Sequence, residues 1–178
     1  MKQITSLGLS GNTIIIFTSD NGPVLDDGYQ DGAVTQLSGH TPSGPFSGGK
    51  YSILEAGTRV PLIISWPGKI KPGVSPAMVC HIDMIRSFAG LLRQTLPADD
   101  APDSEDIWAA LSGKSKKGRT VLVEHGRVLG IMENNWKYIE PGKGPKVFSG
   151  VDIASGLDEQ PQLYDLDKDP GEKNNLAT

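Results

Sequence analysis

The sequence predicts an α/β fold in which strands flanked by helices come first and a small antiparallel unit comes last. Three observations carry this. The run Thr13-Ile14-Ile15-Ile16-Phe17-Thr18 and the later run Arg59-Val60-Pro61-Leu62-Ile63-Ile64-Ser65-Trp66 are continuous, apolar and largely β-branched. That is the texture of strands buried on both faces of a helix-covered parallel sheet. From residue 119 onward, three short apolar segments follow one another closely, separated by turn residues, as in an antiparallel meander.

Each element has its own local reason. Residues 2–9 read as the end of a helix, with Gly8 near a C-cap. The first strand run ends in the polar stretch Ser19-Asp20-Asn21-Gly22-Pro23, and in open α/β sheets ligands bind beyond such strand ends. Residues 22–50, rich in Gly, Ser, Pro and Asp, form a loop long enough to suggest a functional role. Pro61 opens the second strand, where a missing N–H is tolerated, and Trp66-Pro67-Gly68-Lys69 is a turn. Residues 82–92 carry a helical stripe of Ile82, Ile85, Ala89 and Leu92 with Phe88 beside it. A linker of Pro, Ala and Asp spans 97–106, and a short helix is expected over 105–111. The meander is Thr120–Val123, Val128–Met132 and Trp136–Ile139; a polar loop over 141–161 then leads to a last segment, Leu163–Leu166, before an Asp-Pro-Gly turn.

Composition narrows the function. The chain of 178 residues suits one domain or one domain with a small appendage. Its 37% hydrophobic content can fill a core, which excludes a mainly disordered chain. A net charge of −4, with the charges well mixed, argues against a nucleic-acid binder. A single cysteine excludes an internal disulfide and a Cys-rich zinc site. No apolar run approaches the ~18 residues of a membrane helix. The N-terminus lacks an apolar signal-peptide core, which leaves a cytosolic protein or a chain whose true start is missing.

Few constellations can carry chemistry. Asp20 and Asn21 offer two oxygens suited to a hard cation such as Ca²⁺ or Mg²⁺, or they form an Asx turn before Gly22-Pro23. Gly44–Lys50 fits G-x-x-x-x-G-K, but Tyr51 replaces the required hydroxyl, Pro45 interrupts the loop and no strand directly precedes it. What survives is Lys50 as a lysine presented by small residues to an oxyanion. His40, in the long loop, is the best substrate contact among the three histidines, whose spacing does not suit zinc. Glu55 and Arg59, four residues apart, form a structural ion pair or orient Lys50. Cys80 reads as a small buried hydrophobe.

Taken together, Thr18-Ser19-Asp20-Asn21-Gly22-Pro23, Gly48-Gly49-Lys50, Glu55-Ala56-Gly57-Thr58-Arg59-Val60-Pro61 and Trp66-Pro67-Gly68 resemble the type I sulfatases (arylsulfatases) of the alkaline phosphatase superfamily. His81-Ile82-Asp83, Trp136-Lys137-Tyr138-Ile139 and the tail Leu163–Leu176 are similar to the family's later segments. The resemblance implies sulfate-ester hydrolysis. Asp20 and Asn21 match the family's metal ligands, usually for Ca²⁺, and Lys50 its sulfate-contacting lysine. The fold implied is the edge of an alkaline-phosphatase-like mixed sheet flanked by helices, over residues 1–115. A small C-terminal antiparallel sheet with its helix would then span 116–178.

The nucleophile motif C/S-x-P/A-x-R, whose Cys or Ser becomes formylglycine, is absent, and Cys80 has Ile82 and Met84 in the motif's later positions. The paired aspartates and the Lys and His residues of the family's sulfate pocket are absent too. The expectation is therefore a C-terminal sulfatase portion, inactive alone, whose missing N-terminal part completes the fold. Its expected partner is a sulfate ester, with a sulfated carbohydrate the family-based guess, and its compartment periplasmic or extracellular by resemblance. The alternatives are a phosphate or phosphonate ester hydrolase of the same superfamily, and a non-catalytic binding module.

Overall fold

A computed structural model describes residues 1–177. The chain divides into two compact units, one of Met1–Phe17 with Leu62–Leu122 and one of Thr18–Pro61 with Val123–Thr178.

In the first unit, α1 (Lys2–Ser6) ends at Leu7, and Gly8 follows at φ +71°. The Gly8 amide bonds back to the Thr5 carbonyl, the left-handed helix exit that glycine adopts without a Cβ clash. Strand β1 (Ile15–Thr18) pairs with β2 (Leu62–Ser65) in a two-stranded sheet, reaching the second unit at Thr18. Leu62 and Ile64 pack against Ile107, Ala110 and Leu111, the last two on α4 (Trp108–Leu111). Ala77, Val79, Met84 and Trp108 complete that cluster.

The expected burial of these strands on both faces does not hold. Phe17 is 62% exposed and Ile63 60% exposed. Side chains alternate along a strand, so a sheet whose core lies against Leu62 and Ile64 turns Ile63 the other way.

The helix expected over 82–92 is present in two pieces, a 3₁₀ turn His81–Asp83 and α3 (Met84–Leu91). Asp83 is fully buried where they meet. Its carboxylate accepts bonds from Arg119 Nε at 2.8 Å and Nη2 at 2.7 Å, and from the amides of Glu105 at 2.9 Å and Cys80 at 3.1 Å. Cys80 is only half-buried and is the N-cap of this turn, so a capping role replaces the buried-hydrophobe reading.

The second unit is built on a four-stranded sheet, β3 (Val121–His125), β4 (Leu129–Glu133), β5 (Trp136–Ile139) and β8 (Gln162–Asp165), in the order β3-β4-β5-β8. The pairs β4–β5 and β5–β8 are antiparallel, with Met132 opposite Lys137 and Lys137 opposite Tyr164. The meander thus forms as expected. The polar loop expected over 141–161 instead holds a short hairpin, β6 (Val147–Phe148) with β7 (Ile153–Ala154). Two-residue strands leave too short an alternation to stand out in a sequence. No helix follows β3 among the described residues, contrary to the expected C-terminal helix.

The core of this unit is Ile53, Leu54, Val128, Ile139, Leu157, Tyr164 and Leu166. Ile53 and Leu54 immediately precede α2 (Glu55–Thr58), so one buried segment links the sheet to the loop that carries Lys50. No helix among the described residues is long and apolar enough to cross a membrane.

Candidate functional site

Close backbone contact brings three separate segments together. The Gly22 amide bonds to the Gly57 carbonyl at 3.0 Å, and the Lys50 amide bonds to the Pro23 carbonyl at 2.9 Å. The Ala56 amide reaches the Ser47 carbonyl at 2.8 Å. Glycine is required at these crossings. A Cβ on Gly22 would lie 1.7 Å from the Ala56 carbonyl oxygen, and one on Gly57 2.2 Å from that of Ser52. The Asp20–Pro23 turn, the Gly48–Lys50 segment and α2 therefore form one docked assembly within the second unit.

Asp20 is exposed and Asn21 half-buried. The Asn21 Nδ2 donates to the Gly22 carbonyl at 2.9 Å, which occupies the amide nitrogen and leaves Oδ1 as an acceptor. The Asp20 carboxylate has no hydrogen bond or ion pair among the described residues. A carboxylate and an amide oxygen are the donor types a hard cation takes, so the pair fits Ca²⁺ or Mg²⁺ as part of a shell. It is only part of one: no group of three or more His, Cys, Asp or Glu able to hold a metal occurs among the described residues.

Lys50 makes no ion pair among the described residues, and its Nζ lies 5.3 Å from the centroid of the Tyr51 ring. His40 sits in an exposed turn closed by its own amide on the Leu37 carbonyl at 2.9 Å. No hydrogen bond or ion pair joins it to Lys50, Asp20 or Asn21 among the described residues.

Glu55 and Arg59 pair at 3.0 Å, but this is one edge of a larger cluster that sequence reasoning missed. Lys137 is completely buried and lies 3.0 Å from Glu55 Oε1, 3.0 Å from Glu124 Oε2 and 3.6 Å from Glu172 Oε1. Glu172 Oε2 in turn accepts the Glu55 amide at 2.7 Å, so a residue of the tail bonds the first turn of α2. Beside it, Ser47 Oγ donates to the Gly171 carbonyl at 2.5 Å. A signal existed: alternation along β5 puts Lys137 on the same face as Ile139, where a lysine requires buried carboxylates.

Burial opposes charge on Lys137, yet Glu124, Glu172 and Glu55 together raise its pKa above the ordinary lysine value. Burial pushes the Glu172 carboxyl up to about 7, only partly countered by Lys137 and the Glu55 amide. The charge count agrees. Lys137 and Arg59 balance two carboxylates, and Glu172 is the third.

The sequence profile described as Sulfatase matches residues 1–94, more than half of the chain. The chain belongs to the sulfatase family. It is 50% identical to the N-acetylgalactosamine-6-O-sulfatase of Bacteroides thetaiotaomicron over 99% of its own length and 35% of the relative's. It is 30% identical to human (Homo sapiens) arylsulfatase A over 99% of this chain and 36% of that protein. A solved Bacteroides thetaiotaomicron 6S-sulfatase, from work on glycosaminoglycan metabolism, superposes with a TM-score of 0.95 at 50% identity, covering 99% of this chain and 37% of the other. The PsFucS1 sulfatase of a Pseudoalteromonas species gives 0.73 at 27% identity, over 98% and 35%. The α/β architecture with its antiparallel sheet is thus that of the alkaline-phosphatase-like sulfatase fold. The chain spans about a third of the length of the relatives it matches.

Proposed function

We propose that this chain supplies part of a sulfatase active site, with Asp20 and Asn21 as metal ligands and Lys50 as the contact to the sulfate being hydrolysed. The observation that carries the reading is the glycine-mediated docking of the Asp20–Pro23 turn onto the Gly49–Lys50 segment and α2. That docking gathers two cation-type oxygens and a lysine without an anionic partner in one unit of a sulfatase-family chain.

The division of labour follows from charge. A sulfate ester develops negative charge on its oxygens as the S–O bond breaks. A fixed cation aimed at that charge lowers the barrier, more so where water is excluded. Lys50 provides such a cation. Asp20 and Asn21 would hold a divalent ion as part of its shell, and that ion would supply further neutralisation of charge on the sulfate. The precursor of a formylglycine nucleophile is not among these residues: Cys80 caps a 3₁₀ turn in the first unit and lacks the motif around it. The nucleophile is therefore assigned to another stretch of the sulfatase fold, and the substrate class is sulfated carbohydrate, as in the relatives named for it.

Calorimetry with Ca²⁺ and turnover of a chromogenic aryl sulfate test the reading on the chain itself. Weak Ca²⁺ binding that disappears in Asp20→Ala, aryl sulfate binding that disappears in Lys50→Ala, and no turnover are the expected results. Tight Ca²⁺ binding indifferent to Asp20→Ala, or turnover by the pure chain, would overturn it. A preference for the matching phosphate ester would favour the phosphohydrolase alternative.

A further inference from the structure

Beside Lys50 the second unit carries a cleft of about 380 Å³ lined by Tyr51, Arg127, Val147 and Phe148 among others. Its size is within the range of small-molecule sites, about 300–1,000 Å³. Three of its lining side chains form a ladder that continues to Lys50 at one end. Lys50 Nζ lies 5.3 Å from the Tyr51 ring centroid, and Tyr51 meets Phe148 edge-on at 6.5 Å. The Arg127 guanidinium then lies 5.1 Å from the centroid of the Phe148 ring. Neither Lys50 nor Arg127 has an ion-pair partner among the described residues.

Two features of the backbone bear on this ladder. Tyr51 is 54% exposed although its backbone sits at φ +76°, a conformation that costs a residue with a Cβ about 1–2 kcal/mol. Strain of that kind persists where the surroundings hold it, and it clusters at ligand sites. The second feature is the β6–β7 hairpin, which brings Phe148 into the cleft. The two rings stand nearly perpendicular, at 87°, and form an apolar corner against which the C–H face of a sugar ring can pack. An unpaired guanidinium offers a forked donor to a carboxylate or a sulfate.

We propose that the Tyr51–Phe148–Arg127 cleft is a saccharide subsite adjoining Lys50, taking a sugar that carries a second anionic group for Arg127. The proposal rests on Lys50 as the contact to the sulfate being hydrolysed, and it adds a specificity determinant supplied by the C-terminal sheet and hairpin. Two chemistries can supply the second anion, a uronate carboxylate or a further sulfate ester, and the choice of probes separates them.

Binding is read by ligand-observed NMR on the whole chain. Four probes are used: a monosulfated monosaccharide, a disaccharide pairing that sugar with a uronate, a disulfated disaccharide without uronate, and the unsulfated uronate disaccharide. Arg127→Ala is expected to weaken the doubly anionic probes about tenfold and to leave the monosulfated sugar within about twofold. Whichever doubly anionic probe loses more identifies the natural anion. Tyr51→Gly relieves the backbone strain, so it should keep or raise the unfolding temperature while saccharide binding falls. Arg127→Lys should retain part of the gain. The proposal is overturned if Arg127→Ala leaves the doubly anionic probes unchanged, if it weakens every probe equally, or if no doubly anionic probe binds at millimolar concentration. Lys50→Ala separates the two readings. If it leaves every sulfated probe unaffected while the Arg127 effect stands, the sulfate assignment of Lys50 fails and the subsite survives.

Discussion

Gly22 is the residue on which the docked assembly depends most directly. Gly22→Ala would drive a methyl group into the Ala56 carbonyl, and neither backbone can yield without breaking the Gly22–Gly57 hydrogen bond. We expect a loss of about 1–3 kcal/mol or more in stability, with weaker Ca²⁺ binding, both read by unfolding and calorimetry; an unchanged unfolding midpoint would contradict the docking. Lys137 sets a second test. Lys137→Ala would strand Glu55, Glu124 and Glu172 together in a buried site, and removal of one partner of such a cluster costs roughly 3–5 kcal/mol. Glu172 gives that cluster a pH dependence. Its folded pKa of about 7 lies above the ordinary 4.5, so the folded chain binds more protons across that interval. Its contribution is therefore fully present below 4.5 and is lost as pH rises toward 7. Thermal unfolding followed over that range should show the decline in the native chain and a flatter profile in Glu172→Gln. Asp20, Asn21, Lys50 and Gly22 were each visible in the sequence as local turn or loop chemistry. The Lys137 cluster was not, because its members lie at 55, 124, 137 and 172 and only the fold joins them.

At the scale of elements, local pattern was a good guide wherever an element was long or well bounded. β5 occupies the expected Trp136–Ile139, and the turn and helix at 81–91 follow the expected helical stripe. The β6–β7 hairpin escaped notice because its strands are two residues long. The strand runs at 13–18 and 59–66 were overestimated in burial, since apolar composition alone does not say which face a sheet buries. The junction before α3 offers a prediction of its own. Burial pushes the Asp83 carboxyl up, but the bonds from Arg119 and the Glu105 and Cys80 amides more than offset it, so its pKa lies below the usual 3.8. A depressed carboxylate stabilises the fold above 3.8 and loses that contribution as pH falls through its folded value. Asp83→Asn should lower stability at neutral pH and blunt the acid limb of the unfolding profile. Equal acid sensitivity in the variant and the native chain would refute this.

For the molecule as a whole, the sulfatase kinship was legible because it rests on short motifs spread over nearly the whole chain. The partition into two units was not, because each is assembled from two stretches distant in sequence. Between β1 and α2 the chain runs without a helix or strand, and Tyr29 there is 76% exposed. Limited digestion with chymotrypsin should therefore cut first after Tyr29, ahead of the half-buried Phe46. Initial cleavage elsewhere would count against that exposure. The bond from Glu172 to the Glu55 amide has a further consequence during synthesis. A ribosome releases residue 55 long before residue 172, so the Glu55 amide waits through a separation of 117 residues for this acceptor. A nascent chain halted shortly before Glu172 would thus carry the first turn of α2 without this acceptor, and the order of synthesis sets when that bond can close.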